Sequence, residues 1–175
     1  GANIKVKNGY IIASAKKGLK GCLIKFPKIS VGATQNILIA SCFSKGKTKM
    51  RNCAVEPEVL DLISFLNKLG CKINVIGKRS IDVQGVEGLK STVHKVIFDR
   101  IETGTYIIAT ALTNGRVKIT NIDSKIMFNE INLLRKMGVK IIRKKDYIIV
   151  TSPKELKSVK TETKPYPGFP TDLQA

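Results

Sequence analysis

The sequence predicts a mixed α/β fold (α+β) assembled from copies of one unit, a barrel-like domain turned inside out with helices within and sheets around them. Three observations predict it. A helix-ending glycine that leads into a short apolar strand recurs at Gly1, Gly70 and Gly138, 69 and 68 residues apart. A leucine-lysine step follows each, at Leu19-Lys20, Leu89-Lys90 and Leu156-Lys157, and a threonine opens the next apolar stretch at Thr34, Thr103 and Thr171. Between these landmarks the hydrophobic period alternates between helix and strand, giving the order β-α-β-α-β-β. Such a unit cannot bury its own first helix, so copies must pack around a common centre. A solenoid fits less well, because about 70 residues exceeds the usual repeat of roughly 20 to 50.

The elements follow in chain order. Residues 35–43 and 105–112 are almost continuously apolar, the pattern of a helix buried on all sides. Short strands follow at 48–51 and 117–120, ending at Asn52 and Asn121. Two amphipathic helices come next. Val59, Leu62, Ile63, Leu66 and Leu69 form one apolar stripe, and Met127, Ile131, Leu134 and Met137 form the other. Gly70 and Gly138 stand at their C-termini, and Pro57 sits in a first turn, where its missing donor costs nothing. Strand pairs at 72–75 with 80–83 and 140–143 with 147–150 complete the units. The whole reads as one domain, 1–175, divided into a partial repeat 1–29, full repeats 30–98 and 99–166, and the start of another at 167–175.

Composition narrows the function. A chain of 175 residues, 43% apolar, can bury a sizeable core. Its longest apolar run is far short of the roughly 18 residues of a membrane span, and no signal-peptide pattern opens it. The net charge of +18 favours anionic partners in general. Its lysines are scattered, however, and its few aromatics build no stacking platform, so a solvated surface is the expectation and nucleic acid is not an expected partner. Cys22, Cys42, Cys53 and Cys71 form no CxxC pair, which argues against a zinc or redox motif and for a reducing, cytoplasmic setting. With a single histidine, His94, expected at the surface, neither a multi-histidine metal site nor a Ser-His-Asp triad can form.

Equivalent positions that differ between copies are where chemistry can sit, and the openers differ most. The first offers Lys28, the Ser30 hydroxyl and backbone donors at Val31 and Gly32, a set suited to phosphate, although serine at a helix start is more often a cap. The second places Arg100 near Glu102, an expected ion pair between inner helix and outer shell. The third places Asp172 one residue past its threonine, either as a helix-start aspartate or as a base or acceptor for a sugar hydroxyl.

Four separated strings, Ser30-Val31-Gly32-Ala33-Thr34, Glu56-Pro57-Glu58, residues 99–105 (DRIETGT) and residues 167–174 (PGFPTDLQ), resemble those of the UDP-N-acetylglucosamine 1-carboxyvinyltransferases, a family of enolpyruvyl transferases. The resemblance implies two domains of such repeats with a cleft between them, of which this chain would be most of one. It implies UDP-N-acetylglucosamine and phosphoenolpyruvate as substrates and no cofactor or metal. It also implies that Lys28, Ile29, Ser30, Val31 and Gly32 bind the UDP moiety, and that Asp172 contacts the sugar 3-hydroxyl and acts as its base. Val55 stands where the family usually has arginine, and none of the four cysteines lies in a sequence like the family's catalytic loop. The chain alone is therefore expected to be inactive without the second domain of the same polypeptide. Two other readings stay open: a basic nucleic-acid-binding module on the same scaffold, and the sister 5-enolpyruvylshikimate-3-phosphate synthase.

Overall fold

A computed structural model describes residues 1–174. The chain divides into two compact units, one over Gly1–Lys95 and one from Val96 onward.

The first unit opens with an antiparallel hairpin, β1 (Asn3–Lys7) and β2 (Tyr10–Ser14). Asn8 and Gly9 turn it with φ of 52° and 78°, the pair of left-handed residues that a tight two-residue loop needs. Strand β3 (Leu23–Lys25) then pairs in parallel with β4 (Lys47–Arg51), and helix α1 (Val31–Ser41) forms the crossover between them. Helix α2 (Pro57–Lys68) and the hairpin β5 (Lys72–Ile76) and β6 (Ser80–Gln84) complete a four-stranded sheet ordered β3-β4-β6-β5. Leu38 of α1, Val59, Ile63 and Leu66 of α2, and Met50, Ile73, Ile81 and Val83 of the sheet form its core.

The second unit repeats the order of elements from α1 onward, with no counterpart of β3 among the described residues. Helix α3 (Arg100–Leu112) leads to β7 (Arg116–Thr120), α4 (Phe128–Lys136), β8 (Lys140–Arg143) and β9 (Tyr147–Thr151), with sheet order β7-β9-β8. Ile107, Met127, Ile131, Leu134, Ile141, Ile148 and Val150 fill its core. The repetition extends to the backbone. Asn52 and Asn121 share a positive φ, 59° and 60°, and Gly70 and Gly138 share the left-handed helix-ending conformation at 103° and 100°. Where Asn67 donates to the Ile73 carbonyl, Arg135 donates to the Ile141 carbonyl, each tying the last turn of a helix to the strand after it.

The helices and strands expected at these positions form, with α1 and α3 starting about one turn earlier than their apolar runs, but the opening strand of the β-α-β-α-β-β unit forms only before α1, as β3. The expectation of burial on all sides is corrected. Thr34, Leu38 and Ser41 mark one buried face of α1, while Ile39 is 49% exposed; on α3, Leu112 is 68% exposed. An apolar run reports the absence of polar residues, not the number of layers laid over it. No helix among the described residues is long and apolar enough to cross a membrane.

Candidate functional site

The first opener is built from the sheet outward. Beyond β3, the Phe26 amide donates to the Arg51 carbonyl (3.0 Å), and the Asn52 side chain donates to the Phe26 carbonyl (2.9 Å). These bonds anchor the segment that carries Lys28, which is exposed, and Ile29, which packs against the core. Ser30 is the N-cap of α1, extended at φ −142° and ψ 122°, and its Oγ accepts from the Ala33 amide at 3.2 Å. Thr34 locks this corner in place. Its hydroxyl donates to the Ser30 carbonyl (2.7 Å) and accepts from the buried Ala54 amide (3.0 Å).

Two properties suit the corner to an anion. First-turn amides have no acceptor within their own helix, and the first turn of α1 contains no acidic side chain. Gly32 is exposed with no atom within 4 Å of where a Cβ would stand, so a ligand can approach the backbone there. The Ser30 oxygen is engaged as an acceptor, which leaves its proton to donate. Serine is therefore both the cap of the bland reading and a candidate contact.

The equivalent corner of the second unit is closed to anions. Asp99 caps α3, and its Oδ1 accepts from the Ile101 and Glu102 amides at 2.7 and 3.0 Å, filling the helix end with the protein's own negative charge. Arg100 is buried and pairs with Glu130 of α4 at 3.2 Å, with its guanidinium 5.6 Å from the centre of the Tyr166 ring. The expected Arg100–Glu102 pair does not form, because residues two apart on a helix point away from each other; Glu102 is exposed.

The third opener lies in the second unit. The Asn129 side chain donates to the Pro167 carbonyl, and the Lys164 amide donates to the Phe169 carbonyl at 2.9 Å. Thr171–Leu173 then forms a single 3-10 turn in which Asp172 is exposed and Leu173 is buried. Leu173 packs on α3 at Gly104, where a Cβ would lie 2.5 Å from Leu173 Cδ1. The five residues from Lys28 to Gly32 thus share one corner of the first unit, and Asp172 sits on a turn of the second.

Basic charge near the first corner is partly neutralised internally. Asp82 on β6 receives Lys47 Nζ and Arg51 Nη1, both at 2.9 Å. Hydrogen bonds from Lys47 and then Arg51 hold its carboxyl below the usual carboxylate range. His94 is the other correction: its side chain is 7% exposed, bonded through Nε2 to Asp61 Oδ1 at 3.0 Å and set against Phe65. A lone histidine in a polar stretch gave no sign of the helix that covers it.

The chain resembles known proteins along its full length. A sequence profile described as EPSP synthase (3-phosphoshikimate 1-carboxyvinyltransferase) matches residues 1–175. Curated relatives named UDP-N-acetylglucosamine 1-carboxyvinyltransferase from Pelagibacter ubique and Rickettsia prowazekii are 53% and 46% identical over all 175 residues. The chain spans 42% of the length of each. Among solved structures, the enolpyruvyl transferase NikO from Streptomyces tendae superposes with a TM-score of 0.85 at 24% identity, over 99% of this chain and 44% of NikO, a likeness of fold. A profile matched from first residue to last, on the same repeated fold, places this chain in the EPSP synthase (3-phosphoshikimate 1-carboxyvinyltransferase) family of enolpyruvyl transferases.

Proposed function

We propose that this chain forms part of a cytoplasmic transferase that moves enolpyruvate from phosphoenolpyruvate to the 3-hydroxyl of UDP-N-acetylglucosamine and releases phosphate, the first committed step of peptidoglycan synthesis. The observation that carries the reading is the contrast between two equivalent helix starts. Ser30 leaves α1 open to an anion, with Gly32 uncovered beside it, whereas Asp99 fills the same place on α3. In this reading Lys28, the Ser30 hydroxyl and the amides of Val31 and Gly32 hold the UDP moiety, with Ile29 fixing the segment to the core. Asp172 accepts the proton of the sugar 3-hydroxyl as that oxygen bonds to C2 of an enolpyruvyl group protonated at C3. Loss of phosphate and of a C3 proton from the tetrahedral intermediate restores the double bond. The names of the curated relatives support this substrate pair over the shikimate one. A second domain of the same polypeptide supplies the remaining groups, and the reading requires no metal or organic cofactor.

The test is a chimera in which this chain replaces the matching segment of the Pelagibacter ubique relative. Phosphate release from phosphoenolpyruvate that depends on UDP-N-acetylglucosamine, absent from the 175-residue chain alone, is the expected result. An inactive but folded chimera would overturn the proposal. Amide shifts in the isolated chain add a local readout. Shifts at Lys28 to Gly32 with the sugar nucleotide support the site, whereas broad shifts on lysine surfaces with an oligonucleotide alone favour a nucleic-acid module.

A further inference from the structure

We infer that Gly104 and Leu173 act as a plug and socket that sets the position of Asp172, making both of them positioning residues for the proton-accepting step; this rests on the role proposed for Asp172 above. Glycine inside a helix is disfavoured relative to alanine, so its presence needs a reason. Conformation is not the reason, since Gly104 lies within α3 and is not among the residues with positive φ. Space is. A Cβ on Gly104 would stand 2.5, 3.1 and 3.4 Å from Cδ1, Cδ2 and Cγ of Leu173, three atoms of one side chain. The missing methyl is a socket shaped by a single leucine.

The socket matters because the turn it holds carries Asp172. Thr171–Leu173 is one turn of 3-10 helix, and the Leu173 amide reaches the Pro170 carbonyl only at 3.3 Å. Within it Leu173 is 7% exposed, while Asp172 and Gln174 on either side are exposed. Pro170 before the turn is buried as well, but Leu173 is the side chain of the turn that meets Gly104, so its depth in the socket sets how far Asp172 stands from α3. Ordinary carbon contacts lie at about 3.5 to 4.0 Å, so an alanine methyl at 104 pushes the leucine and its turn outward by about 1 Å. A shift of that size at a reacting group lowers turnover by about 100-fold.

The experiment is a double-mutant cycle in the active chimera, with G104A, L173A and G104A/L173A. We expect kcat to fall on the order of 10- to 100-fold in G104A, with KM for UDP-N-acetylglucosamine changed by less than about 3-fold, because the Ser30 corner is untouched. L173A should also lower kcat, since it removes the plug. In the double variant the new methyl enters the vacated space, and kcat should exceed the product of the single losses. Amide spectra of the G104A chain should show displacement at Asp172 and Leu173 with the remaining dispersion intact. Parental kcat in a folded G104A chimera, or strictly multiplicative losses, would overturn the inference while leaving the function standing. An inactive parent chimera would overturn both.

Discussion

Replacing Thr34 with valine tests how the first helix start is held. Thr34 is fully buried, and its Oγ1 makes two bonds, donating to the Ser30 carbonyl and accepting from the Ala54 amide. Valine keeps the shape and removes both. The Ser30 carbonyl keeps the Thr34 backbone amide at 3.0 Å, so no acceptor is orphaned there. The Ala54 amide is the group at risk, on a residue with no exposed surface. An unsatisfied buried donor costs about 1 to 3 kcal/mol, so we expect a loss of about 2 kcal/mol. With a urea slope of about 2 kcal/mol per molar, the midpoint should move by about 1 M. Thr103 is the internal control, because among the described residues it makes only the equivalent back-bond, to the Asp99 carbonyl at 2.8 Å. Thr103→Val should cost less than about 1 kcal/mol. Two compact units need not unfold together, so the assay is urea-dependent amide exchange read separately at Leu38 and Ile107. A Thr34→Val shift no larger than that of Thr103→Val would refute the bridging role of this hydroxyl.

Other expectations follow from the same geometry. The Asp82 carboxyl titrates below its unfolded value, so its contribution is fully present above the ordinary carboxylate range and lost as pH falls through the lowered folded pKa; urea midpoints of the first unit should decline there in the wild type and less in Asp82→Asn. Arg100→Met takes the guanidinium from the buried Glu130 and should destabilise the second unit by about 3 to 5 kcal/mol, with Arg100→Met/Glu130→Leu recovering much of it in thermal melts. The Cys42 thiol is pushed up to about 12 by burial and then by its neighbour Cys71, so iodoacetamide at pH 8 should label exposed Cys22 and spare Cys42 until urea unfolds the chain, as read by mass spectrometry.

Much of the fold was legible because period and punctuation agreed. The stripe from Val59 to Leu66, closed by Gly70, could only be an amphipathic helix, and its copy ending at Gly138 doubled the signal. The hairpin at Asn8-Gly9 is legible from its asparagine-glycine pair, and β5–β6 and β8–β9 are its counterparts in the later copies, turned by other residues. The partner of Arg100 was not legible: Glu130 is 30 residues away, and only the packing of α3 on α4 brings them together. His94 failed for the same reason, since its partner Asp61 lies 33 residues earlier. Of the candidate site, residue types and spacing marked Lys28, Ser30, Val31, Gly32 and Asp172, and Ile29 came only with the family resemblance. What separates Ser30 from Asp99, a neutral cap against a charged one, is written in the sequence; that the backbone beside Gly32 stands uncovered is not.

The matched bonds of Asn67 and Arg135 carry a consequence for how such a repeat can age. One is a short neutral amide that also accepts from the Ile73 amide at 2.9 Å and the other a long cation that can only donate, yet each delivers a proton to the carbonyl 6 residues ahead. The demand at that position is a donor at a given place in space, and unlike side chains can meet it. Symmetry of this kind is stored in the backbone's unmet acceptors, so two copies can drift apart in spelling while keeping the one bond that both require.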